Sequence, residues 1–179
     1  MRVYFISVEY LKRYAEIDDN VDDKTCANAI WQAQERLIQP VIGTNLYNKL
    51  KAGIYAKVLD TQYFNLLINY IWKIIWEAAP YFIALHLQFR MTDSAVVVDS
   101  NTNANSITDQ ELFVLKNEFE SAYKFHIDML KRYINANSDL FPEYYTSDVE
   151  DLPPSRNENA ADIYYDGPDF DYLGPSSRP

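Results

Sequence analysis

The chain has 179 residues, 48% of them hydrophobic and 15% aromatic, enough apolar mass for one real core, which excludes a wholly disordered chain. Its formal charge of -10 comes without a basic cluster, which disfavours proteins that grip nucleic-acid phosphates. A single cysteine, Cys26, excludes an intrachain disulfide and any paired-cysteine zinc motif.

From the N-terminus, Met1 to Tyr10 lacks a basic-then-apolar leader pattern, so a soluble chain is expected. Ser7 is placed to cap a short helix running to Tyr14. The acidic run from Asp18 to Asp23 suits the positive end of the next helix, predicted from about Asp23 to Gln39. That helix carries Ala27, Ile30, Leu37 and Val41 at steps of three and four, with Gln34 interrupting the stripe. Pro40 removes a donor, Gly43 is the predicted stop, and Thr44 is placed to cap a third helix from Asn45 to about Tyr55.

A fourth helix is predicted from Thr61 to about Arg90, kinked at Pro80. Asn65, Asn69, Lys73 and Glu77 form a narrow polar strip, and nearly everything else is apolar. Such a helix needs cover on several sides, which points to neighbouring subunits. The polar strip also makes it too interrupted for a membrane span. Residues 93–107 combine the β-prone run Ala95 to Val98 with loop chemistry, predicting a small hairpin or extended loop. A fifth helix opens on the capping box Thr108 to Glu111. Its seam is read as Leu112, Leu115, Phe119, Ala122, His126, Met129 and Tyr133 over about three heptads. Glu120 with Lys124 and Asp128 with Arg132 are spaced for outer-face ion pairs.

After Phe141 the periodicity stops. Residues 142–179 hold six of the eight prolines, nine acidic residues and two basic ones. They carry -7 of the net charge and leave residues 1–141 at only -3. This composition forms no core of its own, yet it includes Tyr144, Tyr145, Tyr164, Tyr165, Phe170 and Tyr172. Acidic residues interleaved with aromatics suit a segment that orders on a partner, so these six are the expected docking residues. The expected domains are therefore 1–141, a helical body, and 142–179, an extended arm.

Residues that perform catalysis are sparse. His86 and His126 lie on apolar helix faces without an adjacent partner, and Cys26 reads as a small buried hydrophobe. Asp18, Asp19, Asp22 and Asp23 lack the glycine and the glutamate of an EF-hand loop, and Asp166, Asp169 and Asp171 are no closer to a metal set. No phosphate loop, nucleophile elbow or zinc-protease motif is present. The expectation is a non-enzymatic protein with no catalytic, metal or cofactor site.

The runs Tyr10-Leu11-Lys12, Asn20-Val21-Asp22, Ala33-Gln34-Glu35 and above all Pro40-Val41-Ile42-Gly43-Thr44-Asn45-Leu46-Tyr47-Asn48-Lys49-Leu50 carry a resemblance. With Leu140-Phe141-Pro142-Glu143-Tyr144 after the last long helix, they resemble the head-to-tail connector (adaptor, or neck ring) proteins of tailed bacteriophages, nearest those of crAss-like phages. The resemblance spans about residues 8–145. It implies an all-α bundle of four to five helices with a hairpin or loop excursion and an extended C-terminal tail. It also implies a twelvefold homo-oligomeric ring in the virion neck, between capsid and tail, assembled in the host cytoplasm. The portal protein and adjacent neck or tail ring proteins would be its partners. Genome DNA would pass through the channel without specific binding, and no membrane would be involved. On this reading the subunit interface is expected at Trp72, Trp76, Phe82, Val96, Val97 and Val98. The alternative is an acidic DNA mimic that inhibits a basic host protein, against which the near-neutral folded region counts.

Overall fold

A computed structural model describes residues 2–91, 96–98, 109–146 and 152–155. The fold is all-α, with one short two-stranded pair. Helix α1 (Val8–Tyr14) starts as predicted, the Ser7 hydroxyl accepting from the Tyr10 amide at 3.1 Å. Asp22 caps α2 (Asp23–Ala33) by accepting from the Thr25 amide at 3.1 Å. From α2 the chain passes through a π turn, Gln34–Ile38, into α3 (Gln39–Ala56). Inside α3, Gly43 breaks the helical backbone with φ 73° and ψ 161°, so the stop predicted there is a break between two helical halves.

Helix α4 (Thr61–Leu66) continues through a second π turn, Leu67–Ile71, into α5 (Trp72–Gln88). The predicted fourth helix is thus one rod with a register shift at 67–71, and its helical assignment continues through Pro80. Strand β1 (Phe89–Met91) pairs antiparallel with β2 (Val96–Val98), Arg90 opposite Val97. The remaining residues of the predicted excursion, and Thr108 of the capping box, lie outside the described residues. Helix α6 (Asp109–Ala136), a 3-10 turn at Ser138–Leu140 and the short α7 (Pro142–Tyr145) complete the fold.

The core is one cluster. Helix α5 lies at its centre, with α2 along one side and α6 along another. Ile74, Ile75, Ala78 and Ala79 are fully buried between them. Tyr10 and Tyr14 of α1 cover part of Trp72 and Trp76, with ring centroids 4.7 Å (Tyr10–Trp72) and 5.5 Å (Tyr14–Trp76) apart. The apolar character of this helix is therefore largely met inside the chain, and it no longer argues by itself for a neighbour.

The predicted seam of α6 is only partly its buried face: Tyr133 of that seam packs against the core, its ring stacked on Tyr70 at 4.3 Å. Leu130 and Ile134 are wholly buried, and Tyr123 and Ile127 pack against the core. Met129 of the predicted seam precedes Leu130 by one position, about 100° around the helix. Met129 is consequently 38% exposed. The Glu120–Lys124 pair forms as predicted at 2.6 Å, and the lysine beside it holds the Glu120 carboxyl below the usual carboxylate range.

Candidate functional site

The site that unites the resemblance-carrying segments is the α3 break and the C-terminal chain seated on it. In an unbroken helix the Thr44 amide would donate to the Pro40 carbonyl. With Gly43 at positive φ, a conformation open in practice to glycine alone, that bond is gone. The Thr44 amide instead donates to the Leu152 carbonyl at 3.1 Å, and the Pro40 carbonyl accepts from the Ser155 amide at 2.9 Å. Each half of the missing helical bond is thus satisfied by one strap, residues 152–155. Pro154 is the buried residue of that strap. A Cβ on Gly43 would lie 2.8 Å from both the Cδ and the N of Pro154, so the missing side chain is also the seat of the proline ring. Gln39 Nε2 donates to the Thr44 hydroxyl across the break at 3.2 Å.

The segment before the strap is fastened to the same helix. Phe141 is fully buried, with its ring centroid 5.8 Å from Tyr63 and 5.9 Å from Tyr133. Pro142 opens α7, where a missing N–H costs nothing. The Tyr63 hydroxyl donates to the Glu143 carboxylate, 2.8 and 3.0 Å from its two oxygens, and Lys49 lies 3.9 Å away. Asn45 Nδ2 donates to the Thr146 carbonyl. Burial, and then the bond to Glu143, push the Tyr63 phenol well above its ordinary pKa. The bond from Tyr63 to Glu143 latches α7 to α4. The stretches Pro40 to Leu50 and Leu140 to Tyr144, about a hundred residues apart, therefore form one contact site.

Tyr144, expected on an exposed docking arm, is wholly buried in its own chain. The packed body accordingly extends beyond the expected boundary at 141, because the α3 break needs the strap's backbone groups. Tyr145 is 37% exposed, its hydroxyl donating to Asn135 Oδ1 at 3.2 Å. Tyr164, Tyr165, Phe170 and Tyr172 lie outside the described residues. Of the expected interface residues, Phe82 is 9% exposed, and Trp72 and Trp76 are partly covered. Val96, Val97 and Val98 form β2, away from the α3 break in sequence.

The remaining titratable candidates sit apart from the site. His86 is exposed, and His126 is half-buried, its pKa lowered by burial while Glu77 opposes the shift. The Cys26 thiol is buried, and its pKa is raised by that burial. In the acidic run, the Lys12 ammonium occupies the space beside Asp23 at 2.8 Å and the Asp19 carbonyl at 3.0 Å. Among the described residues no three His, Cys, Asp or Glu side chains are grouped to hold a metal ion, and no helix is long and apolar enough to cross a membrane.

Two features escaped the sequence reading. Gln34, read as an interruption, is fully buried and anchors the N-terminal segment. Its Oε1 accepts from the Phe5 amide at 2.8 Å, and its Nε2 donates to the Val3 carbonyl at 3.1 Å. The interruption itself was the available signal. The second is a set of exposed apolar residues on α6: Phe113, Val114 and Phe125 beside Met129.

No curated protein and no solved structure matches the chain. A family of unknown function, DUF6712, matches residues 38–151, a span that opens two residues before Pro40 and contains the α3 break, Phe141 and α7. Since that span is well over half of the sequence, the chain belongs to the DUF6712 family.

Proposed function

We propose that this protein is a non-enzymatic structural virion protein, a ring in the neck of a tailed phage. It joins the portal to the tail and leaves a channel for the genome. The observation that supports this reading best is the coincidence of the two segments carrying the connector resemblance. Pro40 to Leu50 and Leu140 to Tyr144 meet in one latch, held by Tyr63–Glu143, Asn45–Thr146 and the strap on the α3 break. A latch of this kind fixes where the C-terminal chain leaves the body, as a subunit must if its arm is to reach a partner in a fixed direction. The exposed apolar residues of α6 agree with a surface that meets other copies. Twelve copies around the portal axis, with the portal and adjacent neck or tail proteins as partners, is the assembly proposed. An acidic chain suits a wall beside passing DNA, because like charge prevents adhesion.

Negative-stain electron microscopy of the protein mixed with portal rings tests this. The expected image is an added ring of density coaxial with the portal. Portal rings unchanged at saturating protein would contradict the proposal.

A further inference from the structure

The N-terminal segment, the end of α3 and Trp72 enclose an open, mainly apolar cleft of about 750 Å³. Its wall includes Tyr4, Ile54, Tyr55 and Trp72, and Arg2 and Lys57 stand at it. Trp72 is fixed there, its Nε1 donating to the Phe5 carbonyl at 2.6 Å. Tyr55 is 65% exposed. Neither Arg2 nor Lys57 has a carboxylate within ion-pair distance among the described residues. Arg2 lies over the Trp31 ring at 5.2 Å and donates to Asn28 at 3.2 Å. Lys51 also lies over the Trp31 ring, at 5.7 Å. An aromatic floor with uncompensated positive charge at its edge is complementary to a peptide that is both acidic and aromatic.

The chain carries such a peptide. Between Arg156 and Arg178 there is no cation, but there are Glu158, Asp162, Asp166, Asp169 and Asp171, interleaved with Tyr164, Tyr165, Phe170 and Tyr172. The strap fixes where this segment starts, since the Ser155 amide is bonded to Pro40. From Thr44 to Ile54 the second half of α3 rises about 15 Å. Nine residues from Ser155 to Tyr164 reach up to about 30 Å, so the tyrosine pair spans that distance. Tethering at this range gives an effective concentration of about a millimolar, enough to populate even a weak contact. We infer that this cleft binds the chain's own acidic, tyrosine-rich segment 156–179.

The test is site-specific photo-crosslinking in the otherwise unaltered full-length protein, with benzoylphenylalanine in place of Tyr165 and no portal present. The proposal expects a product of monomer mass joining the tail to peptides that contain Tyr4, Tyr55 or Trp72. Its yield should fall about tenfold in the Arg2→Glu/Lys57→Glu variant, and it should also fall as salt is raised from about 0.05 to 0.5 M. Circular dichroism checks that the variant stays folded, and Arg2→Gln/Lys57→Gln serves if it does not. Capture at another surface, no capture, or capture only in a product of dimer mass would each overturn the proposal. Because no portal enters the experiment, any of these results leaves the neck-ring reading to its own test.

Discussion

At the scale of single residues, Gly43 and Tyr63 hold the site together and Gln34 holds the N-terminal segment. Gly43 combines a backbone conformation unfavourable to other residues with a space filled by Pro154. Gly43→Ala should lower stability by about 1–3 kcal/mol in urea unfolding, and an unchanged midpoint would contradict the packing described. Gln34→Leu should cost about 1–3 kcal/mol, since it leaves the Phe5 amide and the Val3 carbonyl without their buried partner. Hydrogen exchange at Phe5 should rise with it. For Tyr63, a folded pKa above the ordinary value near 10 stabilises the fold fully below that pH. The contribution is lost as pH rises toward the folded value, so stability should decline above about pH 10. Tyr63→Phe should flatten the decline without abolishing it, because burial and Glu35 also raise the Tyr47 phenol. Equal slopes in both proteins would contradict the Tyr63–Glu143 latch. The glycine stop was legible from Gly43-Thr44 alone. What fills the break was not, because its partners are over a hundred residues away in sequence.

At the scale of elements, helix existence was legible and helix rotation was not. Ser7 as a cap and the glycine stop in α3 follow from local chemistry. The deeply buried Leu130 and Ile134 lie off the predicted α6 seam because α6 carries apolar side chains on more than one face, among them Phe125 and Met129. Only packing against α5 decides which face is buried. Leu130→Ala should therefore cost about 2–5 kcal/mol and Met129→Ala less than about 1 kcal/mol; equal costs would restore the predicted seam. The π turns were illegible for a related reason. An extra residue in a helical turn leaves no mark in composition and is fixed by the elements packed around it. The strap also corrects the expected arm boundary. Truncation after Ser155 should leave the unfolding midpoint nearly unchanged. Truncation after Tyr145 should cost about 1–2 kcal/mol, because the Thr44 amide and Pro40 carbonyl lose their partners.

At the scale of the whole molecule, a helical body leads into an acidic, aromatic C-terminal segment whose point of departure is fixed by the latch. The body buries its central helix within one chain, so the proposed assembly would draw on surface that the fold leaves open. Among the described residues, the exposed apolar side chains of α6 are one such surface. The central claim is that this chain exists to assemble, and the most direct measurement is its mass in solution by light scattering, alone and with portal rings. The account predicts a closed oligomer, or a monomer that joins the portal when the two are mixed. A strict monomer indifferent to the portal would contradict it.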